Sequence, residues 1–306
     1  WNYIYVIYMG KLIICVLLPF AVGVIMSGCG SKANTAVKTD TAVNATASSP
    51  RELALPEVPE SITDPEDRAA YAVGHFWDSL DPGVHAQSLD TAFMEQTFAN
   101  FIGLLPYAPE QAREQAVGAF ADKCSADAAV YDLAVYIARH YLDDPNSPMR
   151  NEELYIPFLR RFAGDTGLSE AKRERAAYRL EQAMKNRPGS RATDFGLVTR
   201  EGRTSTLLRE LGDTTLVVFY DYDCEHCKET VARLEDPAMG VRYPVMAVEV
   251  TEDREGWDST KAGMPTGWKV CFATDPLDGE GYYFPALPSI YLLAGDGTVI
   301  IKDGAL

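Results

Sequence analysis

The sequence predicts an α+β multidomain protein in which an all-α domain precedes an α/β domain with a central sheet flanked by helices. The chain has 306 residues, enough for two ordinary domains, because single cores rarely grow beyond about 250–300 residues. Helical patterns fill residues 56–188, whereas short apolar strands separated by polar turns occupy residues 189–306. The change at Arg187-Pro188-Gly189 therefore predicts the domain boundary.

Composition and charge restrict the class of partner. Apolar residues make up 47% of the chain and charged residues 24%, which is typical of soluble folded domains and not of disordered or multi-span membrane proteins. The formal net charge is −16. Because nucleic acids and anionic lipid surfaces bind cationic protein surfaces, we expect no nucleic-acid partner.

The first thirty residues have the layout of an export signal. We expect translation to start at Met9, after which Lys11 precedes an apolar run from Leu12 to Met26. This run is shorter than the ~20 residues of a spanning helix, so an uncleaved anchor is the less favoured alternative. Ser27-Gly28 before Cys29 resembles the lipobox of bacterial lipoproteins, which implies that residues 1–28 are a signal peptide and that Cys29 is lipidated. Residues 29–55 then form a flexible tether rich in small polar residues.

Residues 56–188 carry helix signals and no visible catalytic constellation. Asp64-Pro65 predicts a helix start, with the helix expected to run to about Leu80. Ser147-Pro148 predicts another helix, ending at Phe162, and five or six helices are expected in all. Three isolated histidines are interpreted as structural residues: His75, His85 and His140. The role of this helical domain stays open.

The last third contains the candidate chemistry. A buried strand is predicted over residues 215–220, followed by Cys224-Glu225-His226-Cys227 and a helix to about Leu234. In this order the first cysteine lies at a helix N-terminus, where free backbone N–H groups and the helix dipole lower its thiol pKa. We therefore expect Cys224 to be the nucleophile and Cys227 the resolving cysteine of a redox-active disulfide.

Charged neighbours of the dithiol are expected to act in opposite directions. His226 between the two cysteines would stabilise the Cys224 thiolate further and make the disulfide more oxidising. Asp221 and Asp223 would oppose this effect through their negative charge.

Other interpretations of the cysteines have less support. A zinc site needs four ligands, and the sequence has neither a second C-x-x-C nor an H-x-x-x-H, so neither a metal nor another cofactor is expected. An inert Cys224–Cys227 disulfide would close a very short loop and stabilise little. Cys124 is interpreted as a buried apolar residue. Whether Cys124 pairs with Cys271 stays open.

Residues from about 193 to 304 resemble a thioredoxin-fold domain of the TlpA-like or alkyl-hydroperoxide-reductase-like branch. The matching motifs are Asp194-Phe195-Gly196-Leu197, Val217-Val218-Phe219-Tyr220 before the cysteines, Val248-Glu249-Val250-Thr251-Glu252-Asp253 with Trp257, and Leu287-Pro288-Ser289-Ile290. The resemblance implies that Pro288 is cis and lies against the dithiol, and that Leu287 and Ser289 pair with an extended substrate segment.

The chain departs from this family at three places. Asp223 replaces the aromatic residue that usually precedes the first cysteine. Val218 stands where thioredoxin carries a buried acid, so water or another group such as Glu229 is expected to take the Cys227 proton. The sequence stops where the fold continues into a last helix, so that helix is expected to be missing and the thioredoxin-like domain to be C-terminally truncated.

The whole pattern resembles two-domain lipoproteins of Gram-negative bacteria whose helical half has no assigned function. This resemblance implies an envelope-anchored, periplasm-facing thiol-disulfide oxidoreductase, on the outer membrane rather than the inner. It would exchange disulfides with exported proteins and be recycled by a membrane redox partner.

Reduction is favoured, although His226 is also compatible with an isomerase or oxidase. Peroxidase chemistry lacks its usual Pro-Thr-Cys context. The alternative from another class is a redox-inactive module whose helical domain recognises an envelope partner.

Overall fold

A computed structural model describes residues 52–303 of the chain. The expected signal peptide, the expected lipidation site Cys29 and nearly all of the expected tether lie outside the described residues. Within residues 52–303, no helix is both long and apolar enough to cross a membrane.

Seven α-helices follow one another in the first part of the described chain. Their bounds are α1 (Pro65–Gly74), α2 (His85–Ser88), α3 (Thr91–Leu104), α4 (Glu110–Cys124), α5 (Ala128–Leu142), α6 (Glu152–Gly164) and α7 (Glu170–Ala183). They enclose one apolar core that is rich in aromatic rings, among them Trp77, Phe101 and Phe120. The aromatic rings pack at centroid distances such as 4.5 Å between Trp77 and Phe120, which are favourable pair geometries.

Two of the predicted helix bounds are wrong. Helix α1 begins as expected, with the Asp64 carboxylate accepting the N–H groups of Glu66 and Asp67, but it ends at Gly74 instead of about Leu80. The chain then turns, so that the adjacent Phe76 and Trp77 are both buried in the core, whereas neighbours on a helix point about 100° apart.

Helix α6 begins at Glu152 instead of Ser147. The side chain of Asn151 accepts the Leu154 N–H at 3.0 Å and caps the helix. The Ser147 hydroxyl instead donates to the Tyr141 carbonyl at 2.6 Å, which fixes a turn before α6.

The second part of the described chain is built on a seven-stranded mixed sheet. Its strands are β1 (Gly196–Thr199), β2 (Thr204–Thr206), β3 (Thr215–Tyr220), β4 (Val245–Glu249), β5 (Lys269–Ala273), β6 (Ser289–Leu293) and β7 (Val299–Lys302). The spatial order is β2-β1-β5-β4-β3-β6-β7. Strand β4 pairs in parallel with β3 and β5, and the outer pairs are antiparallel.

Helices cover both faces of this sheet. They include α8 (Leu207–Glu210), α9 (Glu225–Glu235) and α10 (Arg254–Thr260). All six residues of β3 are buried, as is expected of a central strand whose sheet is covered on both faces. A separate apolar cluster lies on each face of the sheet. The predicted fold class, a helical region followed by a sheet flanked by helices, is confirmed.

The helical part is joined to the sheet by a buried cation. Lys302 of β7 is 5% exposed and pairs with Glu152 of α6 at 2.5 Å. Its ammonium also donates to the carbonyls of Ala183 at 3.1 Å and Lys185 at 2.6 Å, at the C-terminus of α7. Carbonyls at a helix C-terminus lack intrahelical partners and carry partial negative charge, so the lysine satisfies them.

We expect Lys302→Ala to lower the free energy of unfolding by roughly 2–4 kcal/mol, because Glu152 Oε2 loses its cation and the carbonyls at the end of α7 lose their donor. Glu152 keeps a second cation, since the Arg179 guanidinium lies 3.0 Å from its Oε1. The measurement is urea denaturation followed by circular dichroism. Lys228→Ala is the matched control, since Lys228 is 49% exposed and solvent screens its ion pair with Glu225. Equal losses in the two variants would contradict the importance of the buried cation.

Candidate dithiol active site

Cys224 lies where the central strand passes into a helix. Strand β3 ends at Tyr220, a three-residue loop follows, and Cys224 occupies the N-cap position of α9. Its sulfur accepts the backbone N–H of Cys227 at 3.3 Å. A sulfur in this position faces unpaired N–H groups and the positive end of the helix dipole, both of which stabilise a thiolate.

Cys227 has a different environment from Cys224, one turn away. Both are free thiols, but Cys224 is half-buried whereas Cys227 is buried. Burial raises the pKa of the Cys227 thiol to about 12, and the hydrogen bond to Cys224 and the negative charge of a Cys224 thiolate act in the same direction. The arrangement therefore has one accessible sulfur and one protonated sulfur behind it.

The segment before β6 reaches the dithiol from the other side. The peptide bond between Leu287 and Pro288 is cis, and the Cys224 thiol lies 3.9 Å from the Leu287 carbonyl oxygen. The structure thus brings Cys224, Cys227, Leu287 and Pro288 together. Ser289 is buried and donates its hydroxyl to Asp303 at 2.9 Å, so its side chain lies inside the fold and does not face the dithiol.

His226 and Glu229 lie on the solvent side of α9. The side chains are 68% and 74% exposed, and the His226 Nδ1 lies 3.6 Å from Glu229 Oε2. Among the hydrogen bonds of residues 52–303, none joins His226 to Cys224. Glu229 is two positions after the buried Cys227, and side chains two apart on a helix point in nearly opposite directions. The structure therefore does not place Glu229 beside the Cys227 thiol.

A buried acid that the sequence analysis missed is Glu249, the last residue of β4. It is fully buried and pairs in register with Tyr220, the last residue of β3. Its carboxylate accepts the N–H of Tyr222 at 2.7 Å and that of Thr251 at 3.1 Å. Burial raises its pKa to about 7, and the charge of Asp221 adds to the shift. The sequence does contain a signal for this buried acid. Glu249 ends an otherwise apolar strand, and that strand lies beside the one that leads to C-x-x-C.

Tyr222 continues this loop and packs against the start of α10. Its hydroxyl donates to Asp253 at 2.5 Å, and a Cβ at Gly256 would lie only 2.1 Å from the same hydroxyl oxygen. A side chain at residue 256 would therefore displace Tyr222. Glu249 binds the backbone N–H of Tyr222, and Asp253 binds its side-chain hydroxyl. Together they fix the loop that carries Cys224.

The remaining cysteines and histidines do not converge on a site. Cys124 and Cys271 are buried free thiols in separate apolar clusters, and burial raises the pKa of each to about 12. Each of the three isolated histidines has an acidic neighbour: His75 with Asp78, His85 with Asp127 and His140 with Asp144. Over residues 52–303, no group of three or more Cys, His, Asp or Glu side chains could hold a metal ion.

A solved structure that aligns with most of the chain is thioredoxin-like. The chain is similar to a thioredoxin-like protein from Bacteroides caccae, with 29% identity and a TM-score of 0.72 over 82% of this chain and 94% of that one. This similarity extends through both the helical part and the sheet. The resemblance to thioredoxin-like proteins inferred from the sequence is confirmed.

Two further solved structures align over a smaller share of the chain. A conserved protein of unknown function from Bacteroides fragilis is 33% identical over 39% of this chain and 93% of its own, with a TM-score of 0.36. The thioredoxin domain of a thiol-disulfide oxidoreductase from Bacteroides vulgatus is 18% identical over 39% of this chain and 90% of its own, with a TM-score of 0.33. No curated protein matches the sequence.

A family model also matches the helical part and the residues before it. It is described as a domain of unknown function, DUF5106, and it matches residues 28–186. Because this match spans more than half of the sequence, the chain belongs to the DUF5106 family.

Proposed function

We propose that this protein is a thiol-disulfide oxidoreductase that exchanges disulfides with exported proteins through Cys224 and Cys227. The observation that carries the proposal is the pairing of a half-buried sulfur at the N-terminus of α9 with a buried thiol one turn later. The cis Leu287–Pro288 bond beside it adds a backbone carbonyl within 3.9 Å of the Cys224 sulfur. This arrangement suits nucleophilic attack followed by intramolecular resolution.

The reaction proceeds in two exchanges. The Cys224 thiolate attacks one sulfur of a substrate disulfide, which breaks the substrate S–S bond, forms a mixed disulfide and releases a substrate thiolate. Cys227 then loses its proton and attacks the Cys224 sulfur. The substrate leaves with both thiols reduced, and Cys224 and Cys227 form a disulfide that has given up two electrons.

The order of the two exchanges follows from the coupling between the sulfurs. The negative charge of the Cys224 thiolate is one cause that raises the Cys227 pKa. That charge disappears when Cys224 enters the mixed disulfide, so the pKa of Cys227 falls at the moment when its thiolate is needed. Cys227 therefore stays protonated until the substrate is attached to Cys224.

The cellular setting is proposed from the sequence. Removal of residues 1–28 and lipidation of Cys29 would anchor the protein to the envelope of a Gram-negative bacterium, on the outer membrane in preference to the inner one. Residues 29–55 would tether it in the periplasm, a compartment in which exported proteins form disulfides. Reduction is the favoured direction, with a membrane redox partner returning two electrons to the Cys224–Cys227 disulfide.

Cys224→Ser is expected to abolish the reduction of insulin disulfides, whereas Cys227→Ser is expected to accumulate a mixed disulfide because resolution is blocked. Turbidity measures the first effect and non-reducing gel electrophoresis with mass spectrometry the second. Cys271→Ser is the control, since Cys271 is buried in the sheet core. Unchanged insulin reduction by Cys224→Ser, or a Cys224 inert to alkylation, would favour the redox-inactive binding module.

The position of His226 favours a reducing potential. Because its imidazole is 68% exposed and lies 3.6 Å from Glu229 Oε2, solvent screens its effect on the Cys224 thiolate. We expect a reduction potential closer to about −270 mV than to about −120 mV, the values of a reductase and an oxidase of this fold. His226→Ala should shift the potential by less than about 15 mV. Titration against glutathione measures both, and a potential near about −120 mV would reverse the proposed direction.

Glu249 gives the protein a pH-dependent stability near neutrality. Its pKa in the folded state is about 7, above its ordinary value of 4.5, so the folded protein binds this proton more tightly than the unfolded chain. The stabilisation is therefore complete below pH 4.5 and is lost as the pH rises to about 7.

We expect Glu249→Gln to remove this dependence, because the amide stays neutral and its oxygen can still accept a backbone N–H. Between pH 5 and pH 8, the free energy of unfolding of the wild type should fall relative to the variant by an amount on the order of 2–3 kcal/mol. Urea denaturation at the two pH values measures the difference. The exposed Glu229→Gln is the control, and parallel pH profiles for wild type and Glu249→Gln would contradict the assignment.

A further inference from the structure

Two adjoining cavities lie where the helical part meets the segment that leads to the cis proline. Their volumes are about 410 and 390 Å³, and they share Tyr136, Arg139, Asp143 and Tyr283 as lining residues. We call the combined space the junction cleft. Helices α5 and α7 supply one wall, and Tyr283 and Pro285 from the segment between β5 and β6 supply the other. The residues that characterise it are Tyr136, Arg139, Arg175, Tyr178, Tyr283 and Pro285.

The junction cleft is locally cationic in an acidic protein. Three carboxylates line it, against four cations. Asp132 is paired with Lys172, and Asp143 with the buried Arg179 at 2.7 Å. The third, Asp144, lies 3.8 Å from His140. Arg139 and Arg175 also line the cleft, and within residues 52–303 neither guanidinium has a carboxylate within ion-pair distance. These two exposed arginines are therefore available to an anionic ligand, whereas the net charge of the whole chain is −16.

Aromatic rings and an apolar floor accompany these charges. Tyr136 and Tyr178 are 55% and 53% exposed although both line the cleft. Leu159 and Phe162 of α6 close the base of the cavity below them and are each only 1% exposed. Exposed tyrosines and arginines around an apolar floor are the composition of protein recognition sites. A small inorganic anion would leave the exposed rings of Tyr136 and Tyr178 uncovered.

The junction cleft and the dithiol are connected by a short stretch of chain. Pro285 lines it and is two residues from Leu287, whose carbonyl lies 3.9 Å from the Cys224 sulfur. Two residues span at most about 7–8 Å of chain. Arg179 holds the wall in place from the helical side, with its guanidinium carbon 4.6 Å from the centre of the Tyr283 ring. A polypeptide bound at Cys224 thus reaches the junction cleft within a few residues.

We propose that the junction cleft is a second recognition site for the substrate polypeptide, selecting an acidic residue next to an aromatic or aliphatic one a few residues from the target disulfide. This inference rests on the proposed function and assigns substrate selection to the helical part. Arg139 and Arg175 bind the carboxylates, and the tyrosines contact the apolar neighbour.

The test measures single-turnover reduction of synthetic peptides by the full chain, with Cys224 and Cys227 reduced beforehand. One peptide carries an intramolecular disulfide flanked on each side by Asp and Phe, three to six residues from the cysteines. The comparison peptide has Asn in place of each Asp. We expect the wild type to reduce the acidic peptide about tenfold faster at limiting concentration, and the preference to shrink as salt rises from 50 to about 300 mM.

Arg139→Glu/Arg175→Glu should remove or reverse the preference, measured as the ratio of the rates with the acidic and the neutral peptide. The matched control is Arg209→Glu/Arg242→Glu, which makes the same change in net charge at two exposed arginines that do not line the cleft. Arg139→Gln/Arg175→Gln provides a second variant in case the charge reversal, close to Asp143, weakens folding; it should also lose the preference.

Failure of this inference and failure of the proposed function give different results. If no peptide is reduced by the wild type, the proposed function fails. If both peptides are reduced at equal rates, or if the control pair loses the preference as fully as the cleft pair, the junction cleft does not select substrates. A disulfide-free acidic peptide with Ser for Cys gives a readout that needs no redox step: fluorescence anisotropy should show about tenfold weaker binding to the Arg139/Arg175 variants than to the wild type or the control pair.

Discussion

The buried ammonium of Lys302 joins the two parts of this protein and anchors β7, which pairs with the strand that follows the Leu287–Pro288 segment. A charge that is 5% exposed is tolerated only when it is fully paired, and here its partners come from α6 and the end of α7. Strand β7, which carries Lys302, pairs with β6, and the next residue, Asp303, binds both Arg150 and Ser289. Ser289 follows the cis proline directly. The helical part is therefore tied to the strands that hold the Leu287–Pro288 segment against Cys224.

The two sulfurs differ because the chain passes from a strand into a helix between them. Cys224 lies after the end of the central strand, at the N-cap of α9, where free N–H groups stabilise negative charge. Cys227 lies one turn into α9 and faces the core. The same geometry explains the exposure of the charged side chains on α9: Glu229, two residues after Cys227, points away from it. His226 lies three residues before Glu229 and shares its exposed face. Chemistry at the dithiol is therefore governed by backbone groups and by burial, and the charged side chains of α9 have a lesser influence.

Local patterns predicted much of this molecule. The capping by Asp64, the buried strand β3 and the C-x-x-C at a helix start all depend on residues close together in sequence, and the structure has them at the expected places. Two helix bounds were predicted wrongly. The end of α1 at Gly74 depends on the burial of both Phe76 and Trp77, and the start of α6 depends on the side-chain cap supplied by Asn151. Glu249 and the junction cleft were missed for another reason: both arise from contacts between segments that are distant in sequence.

The net charge of the chain and the local charge of the junction cleft affect binding over different distances. The net charge of −16 governs long-range attraction, and it disfavours polyanions such as nucleic acids that cover a large surface. At physiological ionic strength, however, charges are screened over about 8 Å. A short peptide inside the junction cleft therefore responds to Arg139 and Arg175 and hardly at all to distant acids. The acidic remainder of the surface keeps long anionic chains away, so that a carboxylate enters only when an apolar neighbour and a nearby disulfide hold the peptide in place.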